Sequence, residues 1–449
     1  MRSDSNHRRR LDRHTLGDCL RKFLTPLVWR QVHQKIPGWN ERADSWELVP
    51  LVTTALWMSI QPGGLSLTRR FREARETVAK LRCKRKAPGK TLQGFLAAWC
   101  RLPYRALVCL REGVRERVGQ VLASQEKVGR WLAFGVDGSR LEVPRTEKNE
   151  TRWGILRKAS APQLWVTAVM NLGTGVLYDW RLGPANSVER SHQRRMLKSL
   201  PLEALLVGDI GFGGFDHLWY LQNAKRHFLV RVCSTTQLLA QGLIWESGGV
   251  WLWPTTRRDK VPLRLRLIRL KPRGLHEEVC LLTNVLDPQL LTRAEAEHLY
   301  ELRWGIEISV FRSLKQTLGK VKLLGETPKV VLREAESALL ALMVCQAMGA
   351  WATQTNSRPG TVRYSLAQVV CVVETYGVKI RQGRKGWDFW QCLRLAVVDS
   401  YVRKKRKAAR RPVKIKDVHP PKPPKILVMN NRLKNKLCEK LKEGKRHVA

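Results

Sequence analysis

From residue 131 onward the apolar residues of this chain stop recurring at every third or fourth position and gather into short runs broken by Gly and Pro. The runs cover 131–136, 163–171, 176–181, 204–208 and 227–232, and helical patterns at about 188–200 and 215–224 separate the last three. Runs of that length with turn residues at their ends read as buried strands, and the longer stretches of period 3.6 read as helices. The order is therefore strand, strand, strand, helix, strand, helix, strand. Two of the strands carry a carboxylate at or near the end: Asp137 in Trp131-Leu-Ala-Phe-Gly-Val-Asp-Gly-Ser139, and Asp209 in Ala204-Leu-Leu-Val-Gly-Asp-Ile-Gly-Phe212. Taken singly, each is an ordinary turn aspartate. The glycines beside them let the chain turn away sharply and let another backbone approach closely.

On either side of this block the pattern is helical. Residues 15 to about 128 carry apolar stripes such as Leu20, Phe23, Leu24 and Leu27, or Leu92, Phe95, Leu96 and Trp99. Their other faces are rich in Arg and Lys, above all Arg69-Arg-Phe-Arg72 through Arg82-Cys-Lys-Arg-Lys86. Such a face either lies in solvent or lies along phosphates. Residues 234–288 form a second strand-rich block with Val250-Trp-Leu-Trp253 and the alternating Leu263-Arg-Leu-Arg-Leu-Ile-Arg-Leu270, which predicts one buried and one cationic face. Further helices are expected at 328–356 and 364–375. From Arg403 to Ala449 there are 18 Lys or Arg against three acids, with Pro-Pro pairs, so this stretch reads as a largely extended polybasic tail.

The charge decides the class of partner. With 82 Lys and Arg against 38 acidic residues, a formal net charge of +44 and 43% apolar content, the chain has enough core for two or three domains and strong self-repulsion. Nucleic acid is the polyanion that fits. An anionic membrane fits less well, because the cations are spread over the whole chain and no apolar run is long enough to span a bilayer. The ten cysteines form no Cys-x-x-Cys pair and sit beside no His couple, which suggests neither a zinc knuckle nor a disulfide framework and suits a reducing cytoplasm. No secretory leader is visible at the N-terminus.

A third carboxylate stands on a predicted helix that opens at the capping box Thr292-Arg-Ala-Glu295 and runs to about Leu318 before Gly319. In Tyr300-Glu-Leu-Arg303-Trp-Gly-Ile-Glu307, Tyr300 and Arg303 precede Glu307 by seven and four positions and share its face. As a bland alternative, Glu307 makes a surface ion pair with Arg303 and Tyr300 packs in a core.

Asp-Gly-Ser at 137–139, Asp-x-Gly-Phe at 209–212 and Tyr-x2-Arg-x3-Glu at 300–307, in that order and with strands inserted before the last, resemble the insertion-sequence transposases of the DDE superfamily, in the branch with a Tyr-Arg-Glu-Lys signature. The resemblance covers about 131–355. It implies a ribonuclease-H-like mixed α/β sheet flanked by helices, whose first and fourth strands are neighbours, so that Asp137 and Asp209 meet across 72 residues of sequence. It implies a catalytic triad of Asp137, Asp209 and Glu307 that holds two Mg²⁺ ions about 4 Å apart, with Mn²⁺ as a substitute. Tyr300 and Arg303 would clamp phosphates, and Trp253 or Trp251 of the insertion would stack on an extruded base. The lysine that the branch carries seven positions after the glutamate is Leu314 here, and Lys315 follows at eight. On an ideal helix eight positions leave it about 80° from Glu307, and a π-bulge would absorb the extra residue.

The expected organisation is a helical basic DNA-binding domain at 1–128, a catalytic domain at 129–233 and 289–355 interrupted by the β insertion at 234–288, C-terminal helices at 356–402 and the tail at 403–449. The expected activity is metal-dependent cleavage and strand transfer at the element's terminal inverted repeats. Double-stranded DNA, both repeats and target, is the partner, and a homodimer on paired ends acts in the cytoplasm at the nucleoid. No membrane and no small-molecule substrate is expected. The alternative is a decayed or repurposed DNA-binding protein of the same origin, for which the displaced Lys315 is the motive.

Overall fold

The structure is a computed structural model that describes residues 14–37, 39, 46–61, 64–81, 89–157, 159–244, 246–271, 278–354, 364–384, 387–398 and 421–446. The basic stretch 82–88 and the first part of the polybasic tail lie outside the described residues. Contacts divide the chain into two compact units, one of residues 1–128, 138–188 and 305–398 and the other of 129–137, 189–304 and 399–449. The division falls within one strand.

In chain order the first six helices are α1 (Leu16–Phe23), α2 (Pro26–Lys35), α3 (Leu48–Ile60), α4 (Leu67–Leu81), α5 (Leu92–Arg101) and α6 (Tyr104–Val121). The starts of α1, α2 and α5 follow from Thr15, Thr25 and Thr91, whose hydroxyls accept the N–H three residues on and satisfy an otherwise orphan donor. Next come β1 (Ala133–Glu142), α7 (Glu147–Trp153), β2 (Gln163–Asn171), β3 (Leu177–Pro184), α8 (Glu189–Met196), β4 (Leu205–Gly208), α9 (Phe215–Asn223) and β5 (His227–Val232). The inserted strands are β6 (Gln237–Ala240), β7 (Ser247–Leu252), β8 (Leu263–Leu270) and β9 (Val279–Thr283). After α10 (Arg293–Ile306) and a π-helix (Glu307–Thr317), α11 (Pro328–Thr353), α12 (Leu366–Arg381), α13 (Phe389–Arg394), β10 (Lys425–Val428) and α14 (Asn431–Arg446) complete the chain.

The unit that begins at the N-terminus is built around α11, which is buried on nearly all sides and packs against α3, α5 and α12. It contains the second half of β1 and the antiparallel pair β2 and β3, which has a bulge between Val169 and Met170. The other unit holds the first half of β1, and its strand order is β10-β6-β7-β8-β9-β5-β4-β1. Within it β1, β4 and β5 are parallel, while β9 runs antiparallel to β5 and carries the insertion. Parallel strands with an antiparallel neighbour make this a mixed sheet of the ribonuclease-H-like kind, flanked by helices. Parallel strands buried on both faces explain why β4 reads as a continuous apolar run, Leu-Leu-Val-Gly, and not as an alternation.

Two expectations are corrected. The tail is not extended throughout: β10 pairs in parallel with β6, and α14 lays Leu437 against Leu239, Trp253 and Met429, with Leu433 and Leu441 at the margin. Ile426-Leu-Val-Met429 and leucines at spacing four supply apolar area that the lysine count conceals. The cationic face of β8 is also incomplete. Arg264 is exposed, but Arg266 is buried and donates to the Leu291 carbonyl, and Arg269 makes a two-point ion pair with Glu278 at 2.6 and 2.9 Å.

Candidate active site

The register of β1 against β4 places Ala133, Phe134 and Gly135 opposite Leu205, Leu206 and Val207. The offset is 72 in each pair, and 209 − 137 is also 72, so two further steps bring Asp137 opposite Asp209. β4 ends at Gly208, where a Cβ would come within 3.0–3.2 Å of the Phe212 side chain, and Phe212 is fully buried. The glycine thus lets the chain fold tightly over Phe212. Asp209 starts that turn as a cap, its Oδ1 accepting the Ile210 N–H at 2.8 Å.

Both carboxylates face one guanidinium. Arg303 Nη1 lies 3.8 Å from Asp137 Oδ2, and its Nη2 lies 3.6 Å from Asp209 Oδ2. Arg303 is only 2% exposed, and its Cζ lies 5.1 Å from the centre of the Tyr300 ring and 4.7 Å from that of Trp304. Its Nε and Nη2 are buried without a hydrogen-bond partner. A guanidinium held in this way is bound by charge and by ring faces more than by directed hydrogen bonds. The Tyr300 hydroxyl stands 3.3 Å from Asp209 Oδ1, and its pKa is raised, first by burial and then by the Asp209 charge. Arg231 of β5 also hydrogen-bonds Tyr300. Sequence reasoning passed over Arg231, although a cation inside the apolar run His-Phe-Leu-Val-Arg-Val is the kind of signal that marks one.

Glu307 and Lys315 belong to the other unit. Glu307 opens the π-helix and is exposed. The widened turns show in the bonds of Ser313, whose Oγ donates to the Ile308 carbonyl at 3.0 Å and whose own carbonyl accepts the Leu318 N–H at 2.9 Å. Each spans five residues, so every turn takes in one residue more than an α-helix would. Lys315 Nζ donates to Ser139 Oγ at 2.7 Å, which ties it to the Asp-Gly-Ser of β1, and Ser139 is a contact that the sequence reading did not assign. Burial lowers the Lys315 pKa, while the charge of Glu307 opposes the shift. Leu318 and Gly319, the latter at φ +64°, end the helix where expected, and Thr292 and Glu295 form the predicted capping box at the start of α10.

The structure therefore gathers Asp137, Asp209, Tyr300 and Arg303 in one unit and Glu307, Lys315 and Ser139 in the other. Among the described residues no group of three or more His, Cys, Asp and Glu side chains is positioned to hold a metal ion. The two aspartates nevertheless fit one: they are hard-oxygen donors on neighbouring strands, one within β1 and one just past β4, both facing the Arg303 guanidinium, which is the donor chemistry Mg²⁺ takes. Trp253 is not brought to this site. It is 4% exposed, packs with Leu239, Met429 and Leu437, donates from Nε1 to the Lys260 carbonyl and is covered by Arg258. Trp251 is only partly buried.

Asp137 thus lies within β1 and Asp209 just past the end of β4, on neighbouring parallel strands of the sheet. Residues 133–344 match the family described as Transposase DDE domain. Among solved structures, the chain is similar to a piggyBac transposase synaptic complex with hairpin DNA, determined by cryo-EM, at 10% identity and a TM-score of 0.43 over 83% of this chain and 80% of that one. No curated protein matches the sequence.

Proposed function

We propose that the protein is a DNA transposase that binds the terminal inverted repeats of its own element, cleaves DNA with divalent metal ions and joins the ends to a target. The observation that carries this reading is the convergence of Asp137 and Asp209 on Arg303 inside the matched domain. Asp137, Asp209 and Glu307 are the residues that would hold Mg²⁺. Metal bound there supplies activation of the attacking water or 3′-hydroxyl and stabilisation of the leaving oxygen. Tyr300 and Arg303 keep the acidic pair oriented, and Arg303 offers its two buried nitrogens to a phosphate that enters. Lys315 would meet a backbone phosphate, and its hydrogen bond to Ser139 and partial desolvation support that role. The net charge of +44 supports binding to DNA, and a homodimer on paired ends goes with this proposal.

The test is Mg²⁺-dependent nicking and joining of DNA carrying the element's ends by the purified chain. Asp137→Ala and Glu307→Ala should each abolish cleavage while leaving DNA binding intact; variants that cut as well as the parent would remove the site assignment. The decayed-transposase reading predicts binding without any metal-dependent product. Its motive was the displaced lysine, and the π-helix supplies a physical route by which a lysine at eight positions serves in place of one at seven.

A further inference from the structure

Arg303 reaches both aspartates only through long contacts, 3.8 Å to Asp137 Oδ2 and 3.6 Å to Asp209 Oδ2, so it offsets their charge without committing its donors to them. Its Nε and Nη2 are buried with no hydrogen-bond partner. The side chain is 2% exposed, with the rings of Tyr300 and Trp304 centred 5.1 and 4.7 Å from its Cζ, so its charge stays in the site. A guanidinium does not escape by losing its proton either. Arg231 of β5, hydrogen-bonded to Tyr300, adds a second positive charge nearby.

A divalent ion that enters between the aspartates therefore meets positive charge that neither leaves nor titrates. A phosphodiester that enters alone meets the two carboxylates. Together the two guests relieve each other, because the phosphate supplies negative charge to the ion and acceptors to Nε and Nη2, while the ion offsets the carboxylates. We infer that Arg303 makes metal binding and DNA binding at this site interdependent: it holds the metal affinity of the free chain down, and a DNA phosphate lifts that restraint. The acidic site then fills with metal mainly when DNA is in place. This rests on the transposase reading for the identity of the polyanion and adds to it the coupling between the two guests.

Calorimetric titration of the full chain with Ca²⁺, alone and with saturating DNA that carries the element's ends, tests the coupling. Asp137→Ala, titrated in the same way, supplies the blank for ions taken up by the DNA itself. The parent chain should bind Ca²⁺ about ten- to a hundredfold more tightly with DNA than without, the usual size of a coupling between two ligands. Arg303→Met should bind Ca²⁺ more tightly than the parent in the absence of DNA and gain less when DNA is added, and Arg303→Lys, which keeps the charge, should restore the parent's behaviour. A parent chain whose Ca²⁺ affinity is the same with and without DNA would overturn the inference even if neither variant folded. So would an Arg303→Met variant that binds Ca²⁺ alone no better than the parent. Both results leave the proposed activity standing, since Mg²⁺-dependent nicking is measured separately. A parent chain that binds no DNA would instead remove the transposase reading, and the inference with it.

Discussion

Two clusters of three charges, one in each unit, are near inversions of each other. In one, two carboxylates, Asp137 and Asp209, face the guanidinium of Arg303. In the other, Lys320 pairs with the carboxylate of Glu334 at 3.2 Å, and the buried guanidinium of Arg70 feels the same negative charge. A buried or half-buried charge is tolerated when it is paired. The first cluster keeps a negative charge in excess, whereas in the second Glu334 offsets one of two cations. The clusters also differ in how the central group is held. Glu334 takes three hydrogen bonds, two of them from backbone, whereas Arg303 lies at 3.6 and 3.8 Å from its carboxylates with Nε and Nη2 unpaired. Glu334 is thus a fixed structural counter-ion, and Arg303 is held more loosely.

The largest effect should come from breaking the tighter cluster. Glu334→Gln would leave Arg70 and Lys320 buried together without a counter-ion and would weaken the acceptor of two amides. A loss of about 3 to 5 kcal/mol in denaturant unfolding is expected. A loss under about 1 kcal/mol would mean that Lys320 is neutral in the native state and that the inversion between the clusters does not hold. Arg303→Met should cost less, about 3 kcal/mol, because both aspartates keep some contact with water. Added Mg²⁺ or Ca²⁺ should return more stability to Arg303→Met than to the parent chain. If the variant gained nothing from the cation in a thermal-shift series, the two aspartates would not share a cation site, whatever the fate of DNA cleavage.

A third carboxylate shows the behaviour of an acid with no cation at all. Glu374 on α12 has its pKa pushed up to about 7 by burial alone, and the Cys345 thiol is raised first by its own burial and then by the charge of Glu374. Its folded pKa lies above the unfolded value near 4.5, so the native state holds the proton more tightly. The resulting stability is present below pH 4.5 and is lost as the pH rises through 7. After allowance for its partial exposure this should amount to about 1 kcal/mol between pH 5 and 8. Glu374→Gln should flatten that slope, and an unchanged slope would place the titration elsewhere.

How much of this could be read from the sequence depends on how local the cause is. β2 and β5 fall on the residues that their apolar runs cover, and the capping box at Thr292 and Glu295 is where its four-residue signature stands. The meeting of Asp137 and Asp209 was legible only through the fold, since it needs β1 beside β4. The extra residue before Lys315 pointed to a π-type widening, and the helix is π-helical over eleven residues. Three things were hidden. The burial of Trp253 and the docking of α14 depend on each other, and a lysine count obscures both. The burial of Arg266 depends on a carbonyl 25 residues away. The cluster of Arg70, Lys320 and Glu334 draws on separate parts of the chain, and no spacing in the sequence relates them.

The smallest of the expected effects sharpens the role of Tyr300. Its hydroxyl is 3.3 Å from Asp209, long for a hydrogen bond between oxygens, and Arg231 competes for the same group. Tyr300→Phe removes that one contact and keeps the ring under Arg303, so the stability loss should be about 0.5 kcal/mol. The stacking of Arg303 on the ring is preserved in the variant, which separates it from Tyr300→Ala, where the guanidinium loses one of its two aromatic faces. If Tyr300 acts by orienting Asp209, the phenylalanine variant should bind Mg²⁺ more weakly and DNA as before. If it acts by touching a phosphate, the order reverses: metal binding stays and DNA affinity falls. Calorimetric metal titration beside a DNA-binding assay on the same preparation distinguishes the two, and a variant unchanged in both would leave Tyr300 as packing for Arg303.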